Sequence, residues 1–105
     1  MFIVTNTIRV KSGHGHELEE RFRNPKSVHQ FPGFVRMQLL KTQDTTEYEE
    51  YVVSTTWEGK EFFDKWVESD SFKGAHAKRR ESSEPSNILG NSLHTYEVVV
   101  EHLPA

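Results

Sequence analysis

Apolar and polar residues alternate over the first eleven positions. Phe2, Val4, Ile8 and Val10 fall on one face at a period of two, and Ile3, Thr5, Thr7, Arg9 and Lys11 fall on the other, which predicts a strand over residues 1–11. Asn6 breaks the pattern, because it stands among the apolar residues in the middle of that strand. Residues 11–15, with Ser12, Gly13 and Gly15, interrupt the alternation. The spacing then becomes helical over 16–23, with Leu18, Arg21 and Phe22 on one side and Glu17, Glu19 and Glu20 mostly outward. Pro25 stops that helix. Phe31-Pro32-Gly33 signals a turn, and residues 33–42 predict a second strand in which Val35, Met37 and Leu39 alternate against Phe34, Arg36, Gln38 and Leu40. The polar run 43–47 suits a hairpin loop, and 48–57, rich in Tyr, Val and Thr, predicts a third strand.

Residues 60–68 return to helical spacing, with Phe62, Phe63, Trp66 and Val67 forming an apolar stripe. Ser69-Asp70-Ser71 interrupts the stripe and offers N-caps for a second helical piece over 72–80, which places Phe72, Ala75, His76 and Arg79 on one face. A polar loop is expected over 81–90 and a last strand over 91–102, with Tyr96, Val98 and Val100 on one face. The order β-α-β-β-α-β predicts an α+β protein of ferredoxin-like topology, a four-stranded antiparallel sheet with helices on one face. No internal repeat or linker divides the chain, so a single domain over 1–105 is expected. Apolar residues remain on the sheet face away from the helices, and a homodimer packed sheet on sheet would cover them.

Composition narrows the function classes. Only 34% of residues are hydrophobic, but two Trp, seven Phe and three Tyr supply core volume. A net charge of −3 argues against a general nucleic-acid binder. No run of 18 apolar residues is present, and the first residues lack the charged and apolar regions of a signal peptide. The absence of cysteine removes disulfides, thiolate catalysis, iron–sulfur clusters and cysteine zinc sites. A cytoplasmic globular domain with no membrane and no nucleic-acid partner is expected.

Among the six histidines, His14 and His16 flank Gly15 beside a turn, with no carboxylate or third histidine at helical spacing, and suit a solvated loop pair. His29, His94 and His102 have no readable partner. His76 lies on the inward face of its predicted helix beside Phe72, with small Gly74 and Ala75 next to it. Such a histidine is ordinarily a satisfied core residue, but here a large flat group could approach closely, and the imidazole could ligate haem iron. Asn6 needs a hydrogen-bond partner in its apolar surroundings; that partner is either backbone or water, or a ligand. Trp66 reads first as core. No nucleophile elbow, phosphate loop, HExxH or flavin fingerprint is present.

Taken together, these residues resemble the IsdG-type haem-degrading monooxygenases of the antibiotic-biosynthesis-monooxygenase superfamily, dimeric α+β barrels. The resemblance runs through the first strand to Asn6, Leu18-Glu19-Glu20-Arg21-Phe22, Pro32-Gly33-Phe34, Thr56-Trp57, the stretch from Phe63-Asp64-Lys65-Trp66 to Gly74-Ala75-His76, and Thr95-Tyr96-Glu97. Asn6, Trp66 and His76 together pick out the haem-degrading branch. The resemblance implies that His76 is the axial ligand to haem iron, that Asn6 on the distal side donates to the iron-bound oxygen, and that Trp66 presses the porphyrin out of plane. It also implies that Arg21, Phe22, Arg23, Asn24, Pro25, Lys26, Ser27 and Val28 lie at the haem, with Arg21, Arg23 and Lys26 suited to its propionates. Haem b would be both cofactor and substrate, with O₂ and an external electron donor, an electron-donating reductase, as co-reactants. Two other readings stay open: a non-catalytic haem-binding or haem-buffering protein, and a cofactor-free quinol-type monooxygenase on the same fold. The Asn6 and His76 pair argues against the last, whose chemistry needs no axial ligand.

Overall fold

The computed structural model describes residues 1–23, 27–69 and 88–105. β1 (Phe2–Lys11), β2 (Phe34–Lys41), β3 (Tyr48–Trp57) and β4 (Ile88–Glu97) form one antiparallel sheet in the order β2-β3-β1-β4. α1 (Gly15–Arg23) connects β1 to a single 3-10 turn at Ser27–Gln30, and α2 (Lys60–Val67) follows β3. This is the ferredoxin-like α+β arrangement that the pattern predicts. The second helical piece expected over 72–80, and with it His76, lies outside the described residues.

Opposed residues of an antiparallel pair share a sheet face, so the register defines the core. Phe2, Val4, Asn6, Ile8 and Val10 of β1 oppose Trp57, Thr55, Val53, Tyr51 and Glu49 of β3. All ten therefore face the helices. Asn6 is confirmed on this apolar face, and Trp57 is its most buried member, at 0% exposure. On the far face, Ile3, Thr5, Thr7, Val52 and Ser54 are half-buried, while Leu40 and Tyr96 are exposed. Its centre is richer in threonine and serine than alternation of the apolar residues alone suggests.

Two strands depart from expectation. In β2, the register shifts between Phe34 and Arg36, so Val35 is an extra residue with no opposed partner on β3. A bulge of this kind turns the residue before it to the other face. Phe34 thus joins Met37 and Leu39 on the core side instead of opposing them, and its ring meets Trp57 edge-on at 5.5 Å. β4 runs from Ile88 to Glu97 and not over 91–102. Ile88, Leu89 and Gly90, expected in the loop, belong to the strand, with Ile88 and Gly90 paired to Val10 and Arg9 of β1; ladder pairing outweighs the weak strand propensity of Gly90. Beyond β4, the Val98 N–H still reaches the Met1 carbonyl at 3.0 Å, and residues 99–105 form no strand.

The first turn of α1 is fastened to β3. Glu49 accepts hydrogen bonds from the N–H groups of Gly15 at 2.7 Å and Gly13 at 3.1 Å, satisfying donors that a helix start leaves free. The Gly15 N–H, and less strongly Lys41 at 3.4 Å, hold the Glu49 carboxyl below the usual carboxylate range. The helix approaches so closely that a Cβ on Gly15 would stand 2.5 Å from the Tyr51 hydroxyl, so glycine is required there.

Candidate active site

Among the described residues the side-chain core has two parts. Ile8, Val10, Leu18 and Tyr51 form one buried group, with Phe22, Leu39, Val53 and Ile88 against it. Val4, Val28 and Trp57 form the other, surrounded by Phe2, Phe31, Phe34, Phe62, Phe63 and Trp66. Along β1 the first group begins at Ile8 and the second at Val4, and Asn6 is the inward-facing residue between them. Across the sheet, Asn6 belongs to the row Leu39–Val53–Asn6–Leu93. Its Oδ1 is buried and has no hydrogen-bond partner among the described residues. Leaving such an atom unsatisfied costs about 1–3 kcal/mol, a cost that natural cores accept chiefly at sites with another purpose.

The aromatic stripe of α2 lies on the Val4 side of this division. The Trp66 ring stands 5.9 Å from Trp57 and 6.3 Å from Phe63. Trp57 is itself gripped by Phe31 and Phe34 and donates its indole N–H to Thr55 Oγ1 at 3.1 Å. Trp66 is therefore held by stacked rings on a short helix whose end is closed by Ser69, which donates to the Trp66 carbonyl at 2.5 Å.

On the Ile8 side, an open cleft of about 280 Å³ is lined by Glu19, Phe22, Arg23 and Leu39. Arg23 is exposed and pairs with Glu20 at 3.4 Å and with Glu19 at 4.0 Å. Arg21, expected beside Leu18 and Phe22, is exposed. Val28 is buried against Val4 and Trp57, and Ser27 opens the 3-10 turn. Asn24, Pro25, Lys26 and His76 lie outside the described residues; of the rest of the expected set, Trp66 lies in the Val4 group, Phe22 and Arg23 line the cleft on the Ile8 side, and Asn6 stands between the two groups along β1.

Two expectations are corrected. His14 does meet a carboxylate at helical spacing, because its Nδ1 lies 3.3 Å from Glu17 Oε1; the pair is exposed, and among the described residues no group of three or more His, Asp or Glu gathers. Glu19, expected to point outward, turns to the sheet and accepts a 2.6 Å hydrogen bond from the Tyr51 hydroxyl. The signal was in β3: its alternation places Glu49 and Tyr51 on the core face, where each needs a polar partner.

The fold belongs to a known class. Residues 1–78 match the antibiotic biosynthesis monooxygenase family, and the chain is a member of it. A curated relative from Bacillus thuringiensis (strain Al Hakam), named heme-degrading monooxygenase, is 40% identical over 104 residues, covering 99% of this chain and 95% of its own. Among solved structures, an antibiotic biosynthesis monooxygenase from Bacillus cereus superposes with a TM-score of 0.84 at 26% identity, covering 98% of this chain and 97% of its own. The heme-degrader MhuD from Mycobacterium tuberculosis, with two hemes bound in its active site, superposes with a TM-score of 0.69 at 32% identity, covering 97% and 99%. These relatives agree with the resemblance carried by Asn6, Trp66 and the surrounding motifs. Among the described residues, no helix is long and apolar enough to cross a membrane.

Proposed function

We propose that the protein is a haem-degrading monooxygenase: it binds haem and opens the porphyrin oxidatively with O₂ and an external electron donor, releasing iron and an open-chain tetrapyrrole. The observation that carries this reading is the buried Oδ1 of Asn6, which has no hydrogen-bond partner among the described residues and stands between the two parts of the core. An apolar residue there would join the two parts, and a polar one is explained by a ligand that meets the amide. The names of the relatives supply the identity of that ligand.

The described residues suit haem. Haem supplies the iron at which O₂ is activated, and it is also the substrate whose ring is opened. Asn6 presents a preoriented amide, fixed by strand pairing on both sides to Val53 and Leu93. Trp66 offers an aromatic surface, braced by Trp57 and Phe63, that would lie against a planar ring and favour its oxidation. Phe22 and Leu39 give the open cleft apolar walls for a flat ring, and exposed Arg23 beside them is a cation for a propionate. His76 remains the proposed axial ligand, on the motif it completes. A cytoplasmic location and an electron-donating reductase belong to the same reading.

The rival is a haem-binding protein without turnover. Haem-loaded protein in air, given ascorbate, should lose its Soret band and release iron to a chelator. A stable band over many minutes would leave binding alone.

The half-buried residues Ile3 and Val52 and the exposed Leu40 and Tyr96 of the far face support a homodimer closed through that surface. Sedimentation at micromolar concentration should give twice the 12.2 kDa chain mass; a monomer would end this part of the proposal.

A further inference from the structure

We infer that the Tyr51 hydroxyl is a positioning group for the haem site, acting through Glu19 on Phe22 and Arg23. The inference rests on the haem reading above and adds a residue to it.

Tyr51 is only 1% exposed, faces the helices opposite Ile8, and donates to Glu19 Oε2 at 2.6 Å. Burial, and then this bond, push its pKa well above the ordinary phenol value, so it stays a neutral donor. Glu19 is itself a wall of the cleft, with Phe22 three residues on and Arg23 four residues on. Those spacings place all three on one side of α1. Glu19 is also the carboxylate nearest Arg23 apart from Glu20. What Tyr51 does to Glu19 is therefore transmitted to both remaining α1 residues of the cleft.

Apolar packing sets which face of a helix meets the sheet, and a directional polar contact narrows its rotation further. A short hydrogen bond is directional. With side chains roughly 5 Å from the helix axis, a turn of about 20° would sweep Phe22 by nearly 2 Å. Displacements of about 1 Å at a reacting centre can already cost about 10² in rate. Glu49 fixes the start of α1 through Gly13 and Gly15. Tyr51 fixes its angle one turn later, just before the residues that line the cleft.

The test uses Tyr51→Phe, Glu19→Gln and Glu19→Ala, read by haem titration, by the Soret maximum and by amide hydrogen exchange of α1 in the haem-free protein. Glu19→Gln keeps an oxygen that accepts the Tyr51 bond and loses the charge. The expected pattern is haem affinity weakened about tenfold in Tyr51→Phe and Glu19→Ala and by about threefold or less in Glu19→Gln, which keeps the Tyr51 bond but loses the charge facing Arg23, with α1 exchange raised in the first two and the Soret maximum unmoved in all three. A role confined to stability would lower the melting temperature of Tyr51→Phe and leave haem affinity of the folded protein unchanged, and that outcome overturns the inference. So does a Glu19→Gln protein as impaired as Glu19→Ala. If Tyr51→Phe fails to fold, the two Glu19 variants, made on a partly exposed side chain, still decide. A wild-type protein with no Soret band on haem addition sinks the haem reading itself, before any variant is made.

Discussion

Replacing Asn6 with alanine leaves haem binding close to wild type and lowers turnover by about 10²–10³, the usual worth of one preorganised donor aimed at developing charge. Binding survives because the proposed axial bond is on another residue. Stability of the haem-free protein should hold or rise slightly. The substitution removes a buried oxygen that has no partner among the described residues, a saving of about 1–3 kcal/mol that offsets the loss of side-chain volume. A structural amide behaves in the opposite way: its loss lowers the melting temperature and leaves turnover of the folded protein normal. Melting temperature, haem affinity and degradation rate, measured on this one variant, separate the two accounts.

His76→Ala has the larger spectral consequence. It removes the proposed iron–imidazole bond, so the Soret band of the haem complex shifts and degradation stops, while far-ultraviolet circular dichroism of the haem-free protein stays as in wild type. Paired with Asn6→Ala, it gives a double dissociation: one variant binds normally and does not turn over, and the other loses the native mode of binding. Wild-type turnover in His76→Ala would show that the ligand is a different residue.

Much of this was legible in the chain. β3 spans Tyr48–Trp57 as its Tyr, Val and Thr content predicts, and α2 ends one residue before the periodicity does. Asn6 stood out because a polar residue at an even position in an alternating strand has only one kind of explanation, a partner. What escaped was long-range. Alternation cannot register an extra residue, so the bulge at Val35 and the inward turn of Phe34 were invisible. The start of β4 was hidden because Gly90, next to the polar loop, is a strand residue only by virtue of pairing with β1. Conversely, the apolar run Val98-Val99-Val100 reads as strand but lies past the ladder, where Val99 and Val100 are exposed. Glu19 looked like one of three solvated glutamates, since its partner Tyr51 is 32 positions away.

The division of the core at Asn6 also bears on how the domain holds together. Ordinarily side chains of one continuous core make local openings costly everywhere at once, and that interlocking is what makes unfolding all-or-none. Here, among the described residues, β1 and β3 pass through both apolar groups, and their ladder runs unbroken across the seam at the Asn6 position between them. A flat apolar guest lying over that seam would touch residues of both halves and act as the missing mortar between them. The same residue that gives up packing in the empty domain thereby ties occupancy to cooperativity: the filled protein should melt as one unit, over a narrower range of temperature than the unfilled one.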